Sequence, residues 1–410
     1  MTPAETAFDR CRGDFPALAR QQDGHPLAYF DGPGGTQVPH QVIQAIADYY
    51  GHGAANCHGQ FATSEETDRL LQSARESAAA LLGAPDWRCI SFGANMTSLA
   101  FALGRALGRA IAPGDEIVIT QLDHEANRGP WKALAERGAV IREVALRPDG
   151  TLDPEDFARQ VTPRTRLVAV GYASNLLGTV NDLALARSLA SRVGAWLLVD
   201  AVHGAPHFPL DVAALDVDFL LCSAYKFYAP HVGILYTRPG LLETLEPDRL
   251  CTVDQAAPWR IETGTLHHAA LAGLVAAIEY LAGFGEGGDL RSRLLGAMAR
   301  IEAREGRLAR RYAEQAAAIP GLKVWGPAFG AGRRSPTVAV TLEGVPPAAA
   351  ARRLGEQGVL VGDGHFYAAR AVEVLGLAGR GGVIRAGMSI YSTEAEVDRL
   401  LAGLAALARG

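Results

Sequence analysis

Seven apolar runs of strand length, at 88–92, 116–120, 140–144, 166–171, 195–200, 219–222 and 233–236, recur through the first two-thirds of the chain. Helical periodicity fills most of the gaps between them, at Leu99–Ile111, Asn127–Arg137, Pro154–Gln160 and Leu183–Val193. Parallel strands need long crossover connections, which are usually helices, so the alternation predicts a mostly parallel seven-stranded sheet with helices on both faces. That is an α/β fold. In such sheets ligands sit beyond the C-terminal ends of the strands. Polar residues fall there: Asp200 and His203 end one run, and Lys226 follows the next.

An ammonium is seldom buried without a partner, and desolvation lowers its pKa, which is what a Schiff-base lysine requires. Lys226 alone reads first as a surface residue just past a strand. Its pairing with Asp200 changes the balance. An acid at one strand tip and a lysine past the next is an arrangement that holds pyridoxal phosphate, with the acid on the pyridine nitrogen and the lysine on the aldehyde. The run 88–92 leads into Gly93-Ala94-Asn95-Met96-Thr97-Ser98 and an apolar helix. Free amides and the helix dipole make such a start an anion site, or simply a capped helix.

The chain has 410 residues, 49% hydrophobic and 20% charged, enough for two cores. A formal net charge of −5 argues against nucleic acid or an anionic membrane as the main partner. The start, Met-Thr-Pro-Ala-Glu-Thr, lacks the pattern of a signal peptide, and no apolar run has the length of a membrane span. The five cysteines, Cys11, Cys57, Cys89, Cys222 and Cys251, show no Cys-x-x-Cys spacing. A cytoplasmic protein with no metal site and no disulfide framework is expected.

Three units are expected: an arm over 1–28, with an amphipathic helix Ala4–Cys11, packing on the small domain; a large domain over 29–284; and a smaller C-terminal α+β domain over 285–410. Gly285-Glu-Gly-Gly-Asp289 marks the hinge. A helix at Arg291–Ala316 follows, then strands at 322–325, 336–341, 360–361 and 383–389, with helices at 346–357 and 393–408. The polar loop 51–63 is long enough to suggest function; His52 and His58 in it read as substrate ligands or as solvated loop residues.

The chain resembles the class V aminotransferases, which are fold type I PLP-dependent transferases, and within them the cysteine desulfurase-like proteins. The matching text is Asp31-Gly-Pro-Gly-Gly-Thr-Gln37, Thr120-Gln-Leu-Asp-His-Glu-Ala-Asn127, Ala173-Ser-Asn-Leu-Leu-Gly-Thr179, Val199-Asp-Ala-Val-His203, Ser223-Ala-Tyr-Lys226, Trp259-Arg-Ile-Glu-Thr-Gly-Thr265 and Arg385-Ala-Gly-Met-Ser-Ile-Tyr391. The resemblance implies pyridoxal 5'-phosphate as cofactor and an amino acid as substrate, processed through an external aldimine and quinonoid. It makes Lys226 the imine lysine and proton shuttle, and Asp200 the partner of the ring nitrogen. His124 would stack on the ring, with Asn175 and His203 near its phenolic oxygen. Ala94, Asn95, Ser223 and Tyr225 would meet the phosphate, and Thr265 would reach the phosphate of the neighbour in a homodimer. Arg385 would clamp the substrate carboxylate.

One departure bears on the reaction. Desulfurases of this kind use a mobile cysteine from the C-terminal domain, but the last cysteine here is Cys251. Tyr367 occupies the corresponding place in the loop Val361-Gly-Asp-Gly-His-Phe-Tyr367. The expected reaction is therefore a β-elimination, a C–S lyase without a persulfide cysteine. Asp363, His365 and Tyr367 would touch the leaving group, or are ordinary loop residues. Alternatives are an aminotransferase or epimerase of the same fold, or a catalytically silent binding module.

Overall fold

A computed structural model describes residues 8–410. The first four residues of the expected helix Ala4–Cys11 lie outside them, and residues 8–11 are helical. Seven strands, β1 (Ile90–Gly93), β2 (Glu116–Thr120), β3 (Val140–Val144), β4 (Thr165–Gly171), β5 (Trp196–Asp200), β6 (Phe219–Ser223) and β7 (Gly233–Thr237), form one sheet. Their order is β1-β7-β6-β5-β4-β2-β3. Every pairing is parallel except those of β7, which runs antiparallel to both neighbours. The central strands are covered on both faces. Leu167 to Val170, Leu197 to Val199 and Leu220 to Cys222 are all fully buried, each large side chain contributing about 1.5–3 kcal/mol of hydrophobic stabilisation.

Register aligns the chemically loaded strand tips. Gly171 pairs with Asp200, and Gly233 pairs with both Ser223 and Gly93. Helix α1 (Met96–Leu107) follows β1 and starts three residues earlier than the apolar periodicity predicts. Its start is set by a capping box: Asn95 Oδ1 accepts from Ser98 N at 2.9 Å, and Ser98 Oγ accepts from Asn95 N at 3.2 Å. The cap rests on Gly233, where any side chain would collide with the Asn95 backbone. The single helix expected over 127–137 is instead three short pieces, Glu125–Asn127, Gly129–Lys132 and Ala133–Arg137. Gly129-Pro130 explains the break, because proline lacks the amide that would continue a helix.

A second sheet contains β8 (Leu322–Trp325), β9 (Thr337–Leu342), β10 (Gly362–Gly364) and β11 (Val383–Gly387), in the order β8-β9-β11-β10 and wholly antiparallel. Strand β10 and a short helix at Ala369–Val374 lie in what the sequence reads as loop. Beside this sheet Val359–Leu360 pairs in parallel with Ala28–Tyr29. Helix α2 (Leu290–Ala317) serves both cores: Leu294, Met298 and Ile301 pack with the large sheet, and Leu308, Tyr312 and Ala316 with the small one. No helix among the described residues is long and apolar enough to cross a membrane.

A buried ion pair fastens β1 in place. Arg75 meets both Glu262 carboxylate oxygens at 2.8 Å and donates to Ile90 O, while Glu262 accepts from Phe92 N. Removing one partner strands a buried charge. Glu262→Ala is expected to lower unfolding free energy by about 3–5 kcal/mol, read from the denaturant midpoint.

Candidate active site

A cavity opens where the C-terminal ends of β4, β5 and β6 meet the turn 31–36. Its walls include Pro33, Met96, Thr97, Asp123, His124, Asn175, Asp200, His203, Ser223, Tyr225 and Lys226. Lys226 ends a one-turn 3-10 helix that continues directly from β6. Its Nζ donates to the carbonyls of Pro33 and, at 3.0 Å, Gly34, and lies 4.7 Å from the centre of the Tyr225 ring. Burial and then the Arg385 charge push its pKa down to about 7, against opposition from Asp31 and Asp200. A neutral, nucleophilic amine is therefore well populated near neutral pH.

Asp200, the last residue of β5, accepts from Val202 N at 2.9 Å and has no cation within ion-pair distance among the described residues. Burial raises its pKa to about 6, and Lys226 opposes the shift. A second buried acid stands beside it. Asp123 accepts from Gly171 N and from Asn127 Nδ2, both at 3.0 Å. Burial, then the charge of Asp200, raises it to about 7. Two carboxyl groups short of a cation suit a protonated heterocycle. Asp123 is a site residue that sequence reading missed, although it sits next to His124 in a quoted motif.

His124 accepts from Ala126 N through Nδ1 at 2.9 Å, and burial with the charges of Lys226 and Arg385 lowers its pKa to about 4. The ring is neutral. His203 is likewise held neutral by burial, with His207, Arg385 and Lys226 adding to the effect. Its Nε2 lies 3.1 Å from Ser335 Oγ and 3.0 Å from Thr337 Oγ1. Asn175 spends its side-chain amide on Phe366 O at 2.9 Å.

At the opposite end, Ser223 Oγ accepts from Met96 N at 2.9 Å, and Tyr225 stacks on His231 with ring centres 4.5 Å apart. Burial raises the Tyr225 pKa and keeps its hydroxyl a donor. Ala94 and Asn95, expected at the phosphate, do not line the cavity, and Asn95 Oδ1 is committed to the helix cap. The first turn of α1, Met96 and Thr97, takes the wall instead.

Arg385, in the middle of β11, is buried and adjoins this region. Its Nη2 pairs with Asp31 at 2.7 Å, its Nη1 donates to Asn175 O at 3.0 Å, and its guanidinium lies 3.7 Å above the Phe366 ring. Its Nε has no hydrogen-bond partner among the described residues. Asp31 also escaped sequence reading.

Four further expectations fall outside the cavity. His58 is exposed and paired with Asp68 at 3.2 Å, because its loop turns toward the next helix. His365 is exposed, its Nδ1 accepting from Tyr367 N, and it borders a separate cleft with Arg128 and Arg370. Tyr367 is 67% exposed. Its carbonyl accepts from Glu125 N at 2.8 Å, and its ring centre is 5.2 Å from that of His124. Thr265 is exposed in a groove with Tyr49, Tyr50 and Asn56, away from this chain's cavity.

The sheet, the lysine past β6 and the acid ending β5 define a fold type I, pyridoxal-phosphate-dependent enzyme. The family model for aminotransferase class-V matches residues 28–400, so the chain belongs to that family. The chain is 34% identical to a cysteine desulfurase of Salmonella agona, over 98% of each chain. The structure of the cysteine desulfurase CsdA of Escherichia coli is 30% identical over 98% of each chain, with a TM-score of 0.84. An apo cysteine desulfurase from Thermococcus onnurineus is 26% identical, covers 97% of this chain and 98% of its own, and has a TM-score of 0.86.

The lowered Lys226 pKa sets a pH dependence. The amine is charged below its pKa and nucleophilic above it, so cofactor capture by the apoprotein is expected to quicken with pH and level off above about 7. Stopped-flow absorbance after mixing with the aldehyde measures this. Since Asp31 helps keep Lys226 charged, Asp31→Asn is expected to move the midpoint downward.

Proposed function

We propose that the protein is a carbon–sulfur lyase that eliminates a sulfur leaving group from Cβ of an amino acid, without passing sulfur to a thiol of its own. One observation carries the reading: none of the five cysteines lines the cavity, and the loop at the expected thiol position presents Tyr367. Cys222 is buried within β6, and burial pushes its thiol far from the ionised state. A good leaving group departs without needing an acceptor sulfur on the protein.

The residues suit the cofactor. Lys226 offers an amine of lowered pKa, Asp200 and Asp123 offer buried carboxyl groups short of a cation, and the hydroxyls of Ser223 and Thr97 on the cavity wall offer donors for a phosphate. Bound pyridoxal phosphate supplies an electron sink that acidifies the substrate Cα–H. Arg385 receives the substrate carboxylate once Asp31 yields its place. Lys226 takes the Cα proton. The Cβ–S bond then breaks with its electron pair leaving on sulfur, and hydrolysis yields pyruvate and ammonia. His124, neutral and fixed by Ala126 N, holds the orientation of what lies against it. Of the three loop candidates Tyr367 has its ring beside that of His124, which supports it as the contact to the leaving group.

We further infer an arm over 1–28, a large domain over 29–284 and a small domain over 285–410, supported by the two sheets with their separate cores. A homodimer in which Thr265 completes the neighbour's phosphate site fits its exposed position. Five unpaired cysteines favour a reducing cytoplasm.

Cysteine conjugates and S-oxides are the compounds to assay. Pyruvate and ammonia in equal amounts support the lyase. A keto acid with pyridoxamine phosphate, or deuterium entry at Cα alone, would replace it by transamination or epimerisation. Lys226→Ala is expected to reduce turnover by about 10²–10⁴-fold, the usual scale for a general acid–base group, while retaining cofactor detectable by its absorbance after gel filtration.

A further inference from the structure

The loop after the helix at His40–Gly53 carries a cluster that the active site does not use. Cys57 Sγ, a ring nitrogen of His58 and a carboxylate oxygen of Asp68 all lie within 4.8 Å of one another. We propose that Cys57, His58 and Asp68 form a site for a borderline divalent cation of the zinc class, with its fourth position open to solvent.

The donor set is the first argument. Thiolate, imidazole and carboxylate together suit zinc and its neighbours, whereas calcium and magnesium select oxygen alone. Geometry is the second. His58 Nδ1 lies 3.2 Å from Asp68 Oδ1. Two tetrahedral ligands at zinc distances stand about 3.3 Å apart, so this pair already has the required spacing. The thiol needs to approach by only about 1 Å to complete the third corner, given zinc–sulfur distances near 2.3 Å.

The scaffold holds the donors in place. Both Asp68 oxygens accept from the backbone amide of His58, at 3.2 and 3.1 Å, and His58 adopts φ of 65°, which is uncommon for a residue with a side chain. Ser64 Oγ locks the turn from below, accepting from Gly59 N and donating to Asn56 O, each at 2.6 Å. Asp68 stands on the regular helix Ala62–Leu82, so the loop is closed onto a rigid element. Among the described residues Cys57 Sγ has only Asn56 Oδ1, at 3.5 Å, as a partner. Cysteine spacing alone misses this arrangement, because its other two donors are a histidine and an acid ten residues further on.

The test uses the full-length holoenzyme freed of metal by chelation, then given zinc chloride or cobalt(II) chloride alone. One equivalent per chain is expected to survive desalting. The cobalt-minus-zinc difference spectrum, in which cofactor absorbance cancels, is expected to show tetrahedral visible bands with a thiolate-to-cobalt charge-transfer band. Cys57→Ser is expected to remove the charge-transfer band, and Asp68→Asn to weaken binding at least tenfold. Cofactor absorbance and melting temperature establish that each variant is folded. Absence of stoichiometric metal on the parent protein overturns the proposal, as does undiminished cobalt binding by a folded Cys57→Ser variant.

Discussion

Everything at the cavity depends on taking the Lys226 amine out of water. The β6 strand drives it there: Phe219 to Ser223 are all buried, and the 3-10 turn Ala224–Lys226 follows directly. The amine is left with two backbone carbonyls of the turn 31–36 and the distant fields of Asp31 and Asp200. None of these restores the solvation an ammonium has in water, so the neutral form gains ground. The same desolvation acts in reverse on Asp200 and Asp123, whose carboxyl groups drift toward protonation. One low-dielectric pocket thus brings an amine and two acids to a common range near neutrality.

The cavity is walled by the large sheet and its loops, and the small sheet adjoins it through Arg385. Lys226, Asp200 and Ser223 belong to the large one, while Arg385 comes from the small one. Hydrogen bonds cross between them at His203 with Ser335 and Thr337, at Asn175 with Phe366, and at Arg385 with Asn175. A fully buried pair, His207 with Glu305 at 2.7 Å, ties the loop after β5 to the middle of α2. Position of the arginine relative to the lysine is therefore fixed by cross-sheet contacts, and both cores contribute to it.

Much of this was legible in residue order. Strand tips are local features: an apolar run followed by a polar residue marks Asp200 and Lys226 without knowledge of the rest of the chain. The sheet followed from the same alternation. What escaped was set by partners remote in sequence. Asp31 meets Arg385 across 354 residues, and Asp123 reaches the amide of Gly171 across 48. No pattern within a single segment reveals either. His58 and His365 read as substrate ligands because polar loops often bind ligands, but polarity carries no direction: neither lines the cavity, His58 pairing with Asp68 and His365 bordering another cleft. The start of α1 shifted because a capping box outweighed the apolar periodicity.

The pairing of Asp31 with Arg385 has a consequence for selectivity. Asp31 is attached to the same scaffold as the arginine, so it competes at a high effective concentration against any free anion. Acetate, chloride or phosphate drifting in from solution meets a seat already taken. On the proposed role of Arg385, an amino acid held by its nitrogen at the cofactor is tethered as well, and its carboxylate contends with Asp31 on equal terms. On that reading the resting protein screens out anions that carry a charge but no amine.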